Sequence, residues 1–231
     1  MSKTTDAGTG HIPVLLAPVL DGLNVRPEGR YIDGTFGRGG HSREILQRLN
    51  AKGRLLAIDR DPDAIAAVDE TLQSDPRFEI VRGEIAQLKT IGRQHGLLGK
   101  VDGLLLDLGV SSPQLDDPGR GFSFRYDGPL DMRMDPQQGE AASSWLAAVS
   151  EKQLKKVLYE YGEEKNAPRI ARAIVAARAT QAITRTAQLA EIVAAAAPGR
   201  GLKIHPATKT FQAIRIYVNA ELQQLGSALQ A

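Results

Sequence analysis

Apolar residues in the first half of the chain follow two alternating patterns. Four short apolar runs have the length and composition of β-strands, and they cover residues 30–33, 54–59, 78–81 and 101–108. The segments between these runs have the apolar spacing of helices, and they cover residues 42–49, 62–72 and 85–95. Such alternation predicts a parallel α/β sheet, and right-handed crossovers give it the strand order 3-2-1-4. A ligand is then expected at the carboxyl ends of the strands.

The pattern changes after the fourth predicted strand. Residues 111–136 are rich in Pro, Gly and Asp without periodicity, which is typical of a functional or irregular loop. Helices are predicted next at residues 151–161, 167–180, 187–197 and 208–229. We expect the last helix to return to the sheet and a further short helix, within residues 11–23, to cover it. The prediction is therefore an α/β core, 11–114 plus 206–231, with a helical insertion at 115–205.

The composition excludes several kinds of site and indicates where the protein resides. The 231 residues include no cysteine, which excludes disulfides, cysteine-bound zinc and thiol catalysis and fits a reducing compartment. No apolar run approaches the roughly 18 residues that a membrane span needs, and no signal peptide is recognisable. We therefore expect a soluble, cytoplasmic protein.

Basic residues are concentrated in one part of the chain. Residues 165–215 contain nine Lys and Arg and a single acid, Glu191, whereas the whole chain is nearly balanced at 29 basic and 27 acidic residues. This asymmetry indicates a polyanionic partner for the segment. An Arg-rich helical surface without a partner is the alternative.

The stretch YIDGTFGRGGHS, residues 31–42, carries the most informative motif. A strand here meets Gly34, Gly37, Gly39 and Gly40, and a predicted helix follows. Glycines permit positive φ and close approach of the backbone, and a helix start presents unpaired N–H groups. The combination predicts a nucleotide-like ligand, although the spacing is not that of dinucleotide folds. A glycine turn without a ligand remains the alternative.

Acidic residues at the ends of the strands define the ligand further. Asp59 ends the second strand, where nucleoside-binding α/β folds have an acid that accepts the ribose hydroxyls. No Lys-Ser/Thr pair follows the glycines, which disfavours a phosphate ligand. Asp33 suits the amino group of S-adenosyl-L-methionine (SAM), or it anchors the loop. We therefore predict a SAM site.

Asp107 closes the fourth strand and is the candidate for chemistry. The lone pair of an exocyclic base amine is delocalised into the ring, and a carboxylate that accepts its N–H bonds makes the nitrogen a better nucleophile. Anchoring of the following loop is the alternative role for Asp107. The four histidines lack the spacing of a metal site, and no metal is predicted.

Five motifs resemble the bacterial 16S ribosomal RNA (cytosine-N4)-methyltransferases, the RsmH or MraW family. They lie at residues 31–42, 55–65, 104–116, 120–135 and 205–222. The resemblance extends over nearly the whole chain from His11. It implies a Rossmann-like SAM-dependent methyltransferase core with an inserted helical domain. It also implies methylation of a cytidine in the small ribosomal subunit.

The resemblance implies three groups of site residues. The cofactor would be held by Asp33, Gly37, Gly39, Gly40, His41, Asp59, Ile85, Asp107 and Gln114. Catalysis would involve Asp107, Ser112 and Pro113, and RNA would contact Arg120, Phe124, Arg125 and Lys209. Two positions depart from the family: Ile85 stands where Phe is common, which removes stacking on an adenine, and Lys209 stands where Arg is common.

The resemblance also implies further strands beyond Ala231, so we expect a shortened chain with an open edge at the fourth strand. A homodimer is compatible with that edge. Two other functions remain open at this stage. One is a SAM-binding fragment without catalysis. The other is a nicotinamide-dependent oxidoreductase, against which the glycine spacing and Asp33 count.

Overall fold

Four parallel strands form a single sheet in the first half of the protein. They are β1 (Arg30–Asp33), β2 (Arg54–Asp59), β3 (Phe78–Arg82) and β4 (Gly103–Leu105). The strand order is β3-β2-β1-β4, which confirms the predicted order. The computed structural model describes residues 15–197 and 204–231, so the first part of the range 11–23, where a short helix was expected, lies outside the described residues. The sheet and its flanking helices confirm the α/β, Rossmann-like fold class.

The described chain divides into two units. The first comprises the residues up to Asp107 together with Ser227–Ala231, and the second comprises Leu108–Gly226. The helices of the first unit are α1 (Leu16–Leu23), α2 (Gly40–Arg48), α3 (Pro62–Ala66), α4 (Glu70–Gln73) and α5 (Leu88–Gln94), with a 3₁₀ turn at Ile85–Gln87. One face of the sheet buries Tyr31, Leu55 and Ala57, and the other buries Ile32, Leu56 and Ile58. Both faces are apolar because helices cover both.

The single helix predicted for residues 62–72 was wrong, because the chain breaks before Glu70. Asp69 is extended at φ −80° and ψ 165°, and its side chain accepts the backbone N–H of Leu72 at 3.0 Å. Asp69 also pairs with Arg43 of α2 at 2.5 Å. An Asp that caps a helix competes with continuation of the preceding helix, so α3 and α4 are separate.

β4 is shorter than the predicted strand 101–108. The backbone N–H of Gly34 bonds to the carbonyl of Leu105 at 2.9 Å, and the N–H of Asp107 bonds to the Thr35 hydroxyl at 2.7 Å. The second bond joins Asp107 to a side chain of the loop after β1, so Asp107 is outside the backbone pairing of β4 with β1. The apolar run therefore continues beyond the paired strand.

The second unit is helical. Its helices are α6 (Ser112–Asp116), α7 (Ala142–Ala148), α8 (Glu151–Gly162), α9 (Ala167–Thr180), α10 (Thr186–Ala196) and α11 (Thr208–Val218), and α12 (Glu221–Leu229) begins in it. The sequence pattern did not predict α6 or α7. A 3₁₀ turn at Pro118–Arg120 follows α6. The unit has a core of its own, which includes Trp145, Leu158, Ile170 and Leu189.

The last predicted helix differs from the prediction in packing and in continuity. Phe211 and Ile214 are buried in the core of the helical unit, whereas this helix was expected to return to the sheet. The apolar face of α11 packs on α8, and the second unit extends to Gly226. The helix is also interrupted, because Ala220 has φ +50° and Asn219 uses its side chain to bind the loop at Met132 and Met134.

Candidate functional site

Asp33 lies at the end of β1 and is fully buried. Its Oδ1 accepts the backbone N–H of Thr35 at 3.1 Å, and its Oδ2 accepts the Ser42 hydroxyl at 2.7 Å. Burial raises the pKa of this carboxyl to about 6, against the two hydrogen bonds that lower it. These contacts join β1 to the first turn of α2. Asp33 was predicted either to bind the amino group of SAM or to anchor the loop, and these contacts are of the anchoring kind.

Asp59 lies at the end of β2 and faces the same loop. Its Oδ2 accepts the backbone N–H of Gly37 at 2.7 Å, and its Oδ1 accepts that of Asp61 at 2.9 Å. Desolvation by burial raises the pKa of Asp59 above its ordinary value. The backbone N–H of Arg60 also bonds to this carboxylate, which offers about four acceptor sites in all, so capacity for a ligand hydroxyl remains.

The loop needs glycine at two positions with left-handed backbone. Gly37 has φ 56°, and Gly39, which precedes the first residue of α2, has φ 70°. A Cβ on Gly39 would lie 2.6 Å from the Phe36 ring, which is buried. Positive φ and this contact together exclude a side chain there. Gly40 is the first residue of α2, so the loop leads directly into a helix start.

Asp107 lies beyond β4 and is held by its backbone rather than its side chain. Its N–H donates to the Thr35 hydroxyl at 2.7 Å, while 56% of its side chain is exposed. The carboxylate lies 3.9 Å from His41 Nδ1. His41 belongs to the first turn of α2 and is 8% exposed, and its Nε2 has no hydrogen-bond partner among the described residues. The nitrogen near the carboxylate is thus Nδ1, whereas the buried nitrogen without a partner is Nε2, and a buried polar atom of this kind calls for an explanation such as a ligand.

Ile85 supplies an apolar surface at the same edge of the sheet. It follows β3 in the 3₁₀ turn and packs with Leu104 and Leu106. A Cβ on Gly34 would lie 3.3 Å from Ile85 Cγ2 and 2.6 Å from the Leu106 side chain. The carboxyl ends of the strands thus bring together the glycine loop, Asp59, Asp107 and this apolar surface.

These residues suit the parts of SAM. Asp59 offers acceptors for a diol, Ile85 offers an apolar contact for a flat base, and the loop offers backbone at close range. His41 Nε2 and the Asp107 carboxylate offer further polar contacts. A phosphate fits less well, because Asp33 and Asp59 are carboxylates and no Lys-Ser/Thr pair follows the glycines of the motif.

The residues predicted from the loop after β4 lie in the second unit. Ser111 caps α6, and Ser112 and Pro113 form the first turn of that helix. The Gln114 side chain accepts the backbone N–H of Ser111 at 2.9 Å and completes a capping box. This reciprocal capping fixes the short turn that contains Ser112 and Pro113. Their catalytic and cofactor roles remain predictions.

Arg120 and Phe124, predicted to contact RNA, are engaged inside the helical unit. Arg120 is buried, and its guanidinium donates to the carbonyl of Met134 at 2.9 Å. The Phe124 ring lies 4.6 Å from that of His205 and 4.8 Å from that of Phe211. These contacts give both side chains a structural role in holding the loop on the helices.

Arg125 and Lys209 are more accessible. Arg125 is exposed, and its guanidinium carbon lies 5.7 Å from the centre of the Tyr126 ring. Lys209 donates to the carbonyl of Glu163 at 3.1 Å and lines a small cleft with Glu164 and His205. Both keep their positive charge available to an anion.

Two residues with contacts at the site were not predicted. The Thr35 hydroxyl holds the backbone of Asp107, and the Ser42 hydroxyl binds Asp33. Both belong to the glycine motif, but a hydroxyl in a loop gives no sequence signal of its partner. The partner of Ser42 lies in the same motif, whereas the partner of Thr35 is 72 residues away in sequence.

The described residues offer neither a cluster suited to a metal ion nor a helix suited to a membrane. Within residues 15–197 and 204–231, no group of three or more His, Cys, Asp or Glu has the arrangement of a metal site. Over the same residues, no helix is both long enough and apolar enough to cross a membrane.

Comparison with known proteins identifies a matching family and a similar relative. The profile of the MraW methylase family matches residues 8–231. The ribosomal RNA small subunit methyltransferase H of Shewanella amazonensis is 57% identical over 220 residues. That match covers 95% of this chain and 70% of the relative.

Proposed function

We propose, on the premise that the chain belongs to the MraW methylase family, that it methylates the N4 amine of a cytidine in 16S ribosomal RNA of the small subunit. The observation that carries this proposal is the match of almost the whole chain to that family. The name of the 57% identical relative supports the ribosomal substrate. The arrangement at the carboxyl edge of the sheet supports a methyl donor of the nucleoside type.

The proposed cofactor is SAM, which supplies a methyl group already activated on a sulfonium. Asp59 accepts from the ribose hydroxyls with the acceptor capacity that the backbone N–H groups of Gly37, Arg60 and Asp61 leave free. Ile85 contacts the adenine, and dispersion replaces the stacking that an aromatic residue would give. Gly39, Gly40 and His41 approach the amino acid part, and Asp33 keeps the loop in shape.

Asp107 is the proposed contact for the target amine. Its carboxylate is half exposed, and its backbone is fixed by Thr35, so the group has a defined position and an open side. Accepting an N–H bond from the cytosine amine concentrates the lone pair on nitrogen. Alignment of the amine with the methyl group is worth up to roughly 7–11 kcal/mol of the barrier, as in other well-oriented reactions. Catalytic roles for Ser112 and Pro113 and a cofactor role for Gln114 are also proposed, on the resemblance of their motif to that of the family.

The RNA is proposed to contact the basic segment of the helical unit. Arg125 and Lys209 are the accessible cations among the predicted contacts. Arg120 and Phe124 contribute by holding the loop, since their own contacts are internal. Phosphate contacts of this kind make RNA affinity fall steeply with salt.

The test is transfer of a labelled methyl group from SAM to small-subunit RNA. Asp107→Ala should lower kcat by about 10²–10⁴, as for loss of a positioned polar group, and SAM affinity is measured alongside because the carboxylate is also a proposed cofactor contact. Asp21→Asn, an exposed carboxylate of the same unit on α1, is the matched control and should behave as wild type. Unchanged turnover of Asp107→Ala would contradict its assigned role.

The same assay separates the alternatives. SAM binding without any transfer by the wild type would support the non-catalytic SAM-binding protein. A titration that shows tighter binding of NAD than of SAM would support the oxidoreductase. Either result would overturn the proposed function.

A further inference from the structure

A second cleft opens at the amino ends of the strands, the opposite edge from the glycine loop. Its volume is about 470 Å³, and it is lined by Arg30, Arg54, His95 and Lys100, among others. Arg30 is the first residue of β1, and Arg54 is the first residue of β2. The function proposed above does not use any of these side chains.

Arg30 and Arg54 are direct neighbours in the sheet. They are register partners in the parallel pairing of β1 with β2. Adjacent strands lie roughly 4.8 Å apart, and residues paired in this way project to the same face. Two like charges opposite each other destabilise a sheet. A bound anion between or beside them would remove that repulsion.

Two of the cationic side chains that line the cleft form ion pairs with carboxylates. His95 pairs with Glu79 at 2.9 Å, and Arg77 pairs with Asp75 at 2.6 Å. By contrast, among the described residues no carboxylate forms an ion pair with the side chain of Arg30, Arg54 or Lys100. From Arg30, the Asp102 carboxylate accepts only the backbone N–H, at 2.9 Å.

Arg54 is also held in a fixed position. Its Nη1 donates to the carbonyls of Ala51 at 3.0 Å and Gly53 at 2.7 Å. These bonds leave Nε and Nη2 as donors toward the cleft. A guanidinium held in this way loses less side-chain freedom when it binds an anion. Arg30 and Lys100 are exposed and supply charge alongside it.

We propose that this cleft binds phosphate groups of the RNA backbone, as a second anchoring site remote from the methylated base. Guanidinium groups match phosphate oxygens in two-bond geometry, and the lysine adds a point charge. Arg54 and Asp59 stand at opposite ends of β2, roughly 17 Å apart at the usual rise per residue. A folded ribosomal RNA is large enough to contact both edges. The identity of the polyanion rests on the proposed function, whereas the cation cleft does not.

The experiment removes both paired charges with R30Q/R54Q. Binding of a small-subunit RNA transcript is measured between 50 and 200 mM salt, both being ordinary assay concentrations. Loss of two phosphate contacts should reduce the slope of log affinity against log salt by about 1.4–1.8. The KM for RNA should rise about tenfold or more. The affinity for SAM and the melting temperature should stay at the wild-type values, which shows that the unit is folded.

Two control variants show whether charge in this cleft is responsible. R30K/R54K keeps both charges and should retain the wild-type salt slope. Lys89→Gln removes one exposed charge near the start of α5, away from the cleft, and should change neither slope nor KM. An equal effect of Lys89→Gln would overturn the site, because general charge would then explain the result.

The remaining outcomes separate this inference from the proposed function. Wild-type protein that transfers no methyl group to the RNA contradicts the proposed function, whatever the cleft binds. Normal transfer with an unchanged slope and KM in R30Q/R54Q overturns the cleft alone. Saturable binding of inorganic phosphate that R30Q/R54Q abolishes, with an unchanged RNA slope, would identify a free-phosphate site and overturn the RNA contact.

Discussion

The carboxylate of Asp59 accepts the backbone N–H of Gly37 at 2.7 Å, so the end of β2 is bonded to the turn that follows β1. The predicted ribose acceptor and the glycine loop are therefore one structural unit. A change at either residue is expected to alter both loop conformation and ligand affinity. The structure offers four tests of this and of related contacts.

Removal of the Asp59 carboxylate tests that unit directly. Asp59→Ala leaves the N–H groups of Gly37 and Asp61 without their acceptor, which should lower the free energy of unfolding by about 1–3 kcal/mol. SAM affinity, measured by calorimetry, should fall at least about tenfold. Asp59→Asn keeps one acceptor oxygen and should be intermediate in both measurements. SAM affinity of Asp59→Ala equal to that of wild type would contradict the role of Asp59.

Gly39 and Gly99 form a matched pair for the strain in the loop. Both have φ 70°. A Cβ on Gly39 would lie 2.6 Å from the Phe36 ring, whereas a Cβ on Gly99 would have no described atom within 4 Å apart from those of its neighbours in the chain. Gly99→Ala should cost about 1–2 kcal/mol of unfolding free energy through backbone strain alone. Gly39→Ala should cost roughly 1–3 kcal/mol more through the clash. Urea unfolding measures both, and equal losses would show that the loop accommodates the methyl group.

The raised pKa of Asp33 predicts that the free energy of unfolding depends on pH. Its folded pKa, about 6, lies above its ordinary value of 3.8, so the folded state binds this proton more tightly than the unfolded state. The stabilisation is therefore fully present below pH 3.8 and is lost as the pH rises through 6. Relative to Asp33→Asn, the wild type should gain about 1–2 kcal/mol in unfolding free energy between pH 8 and pH 5.

Asp33→Asn is a suitable reference because its amide can accept from the Thr35 N–H and donate to the Ser42 hydroxyl. Unfolding of both proteins by urea across that pH range gives the difference. A difference that does not change with pH would mean that Asp33 does not titrate there.

Replacement of Asn219 tests how much its hydrogen bonds stabilise the helical unit. Its Oδ1 accepts the Met134 N–H, and its Nδ2 donates to the Met132 carbonyl, both at 2.7 Å. All three groups are buried, so Asn219→Ala should lower the free energy of unfolding by about 2–4 kcal/mol. Gln230→Ala, at an exposed position beyond α12, should change it by less than about 0.5 kcal/mol. Calorimetric melting of both variants is the measurement, and similar melting temperatures would contradict the role of Asn219.

Local sequence pattern was sufficient for most elements of the sheet unit. The apolar runs at β1 and β2 have the bounds that alternation and turn residues predicted, because strands buried on both faces need apolar residues at every position. The strand order followed from the handedness of the crossovers, which is a property of L-amino acids rather than of this chain. The ligand edge followed from the same rule.

The breaks in the predicted helices could not be derived from periodicity. Asp69 ends one helix because it caps the next and pairs with Arg43, and Asn219 ends another because its amide binds a loop more than 80 residues away in sequence. Helical spacing is unchanged by such contacts. Only the fold reveals which polar side chain takes part in one.

The sequence by itself determined the parallel α/β core, the glycine loop and the aspartates Asp33 and Asp59 at strand ends, since these depend on local pattern and on chain handedness. The tertiary structure decided which groups those aspartates bind, because hydrogen-bond partners such as Gly37 and Asp59 are distant in sequence. It also decided that α11 belongs to the helical unit, since an apolar helix face has no preference for one core over another until both exist. The paired arginines of the second cleft depend on strand register, which the sequence does not specify.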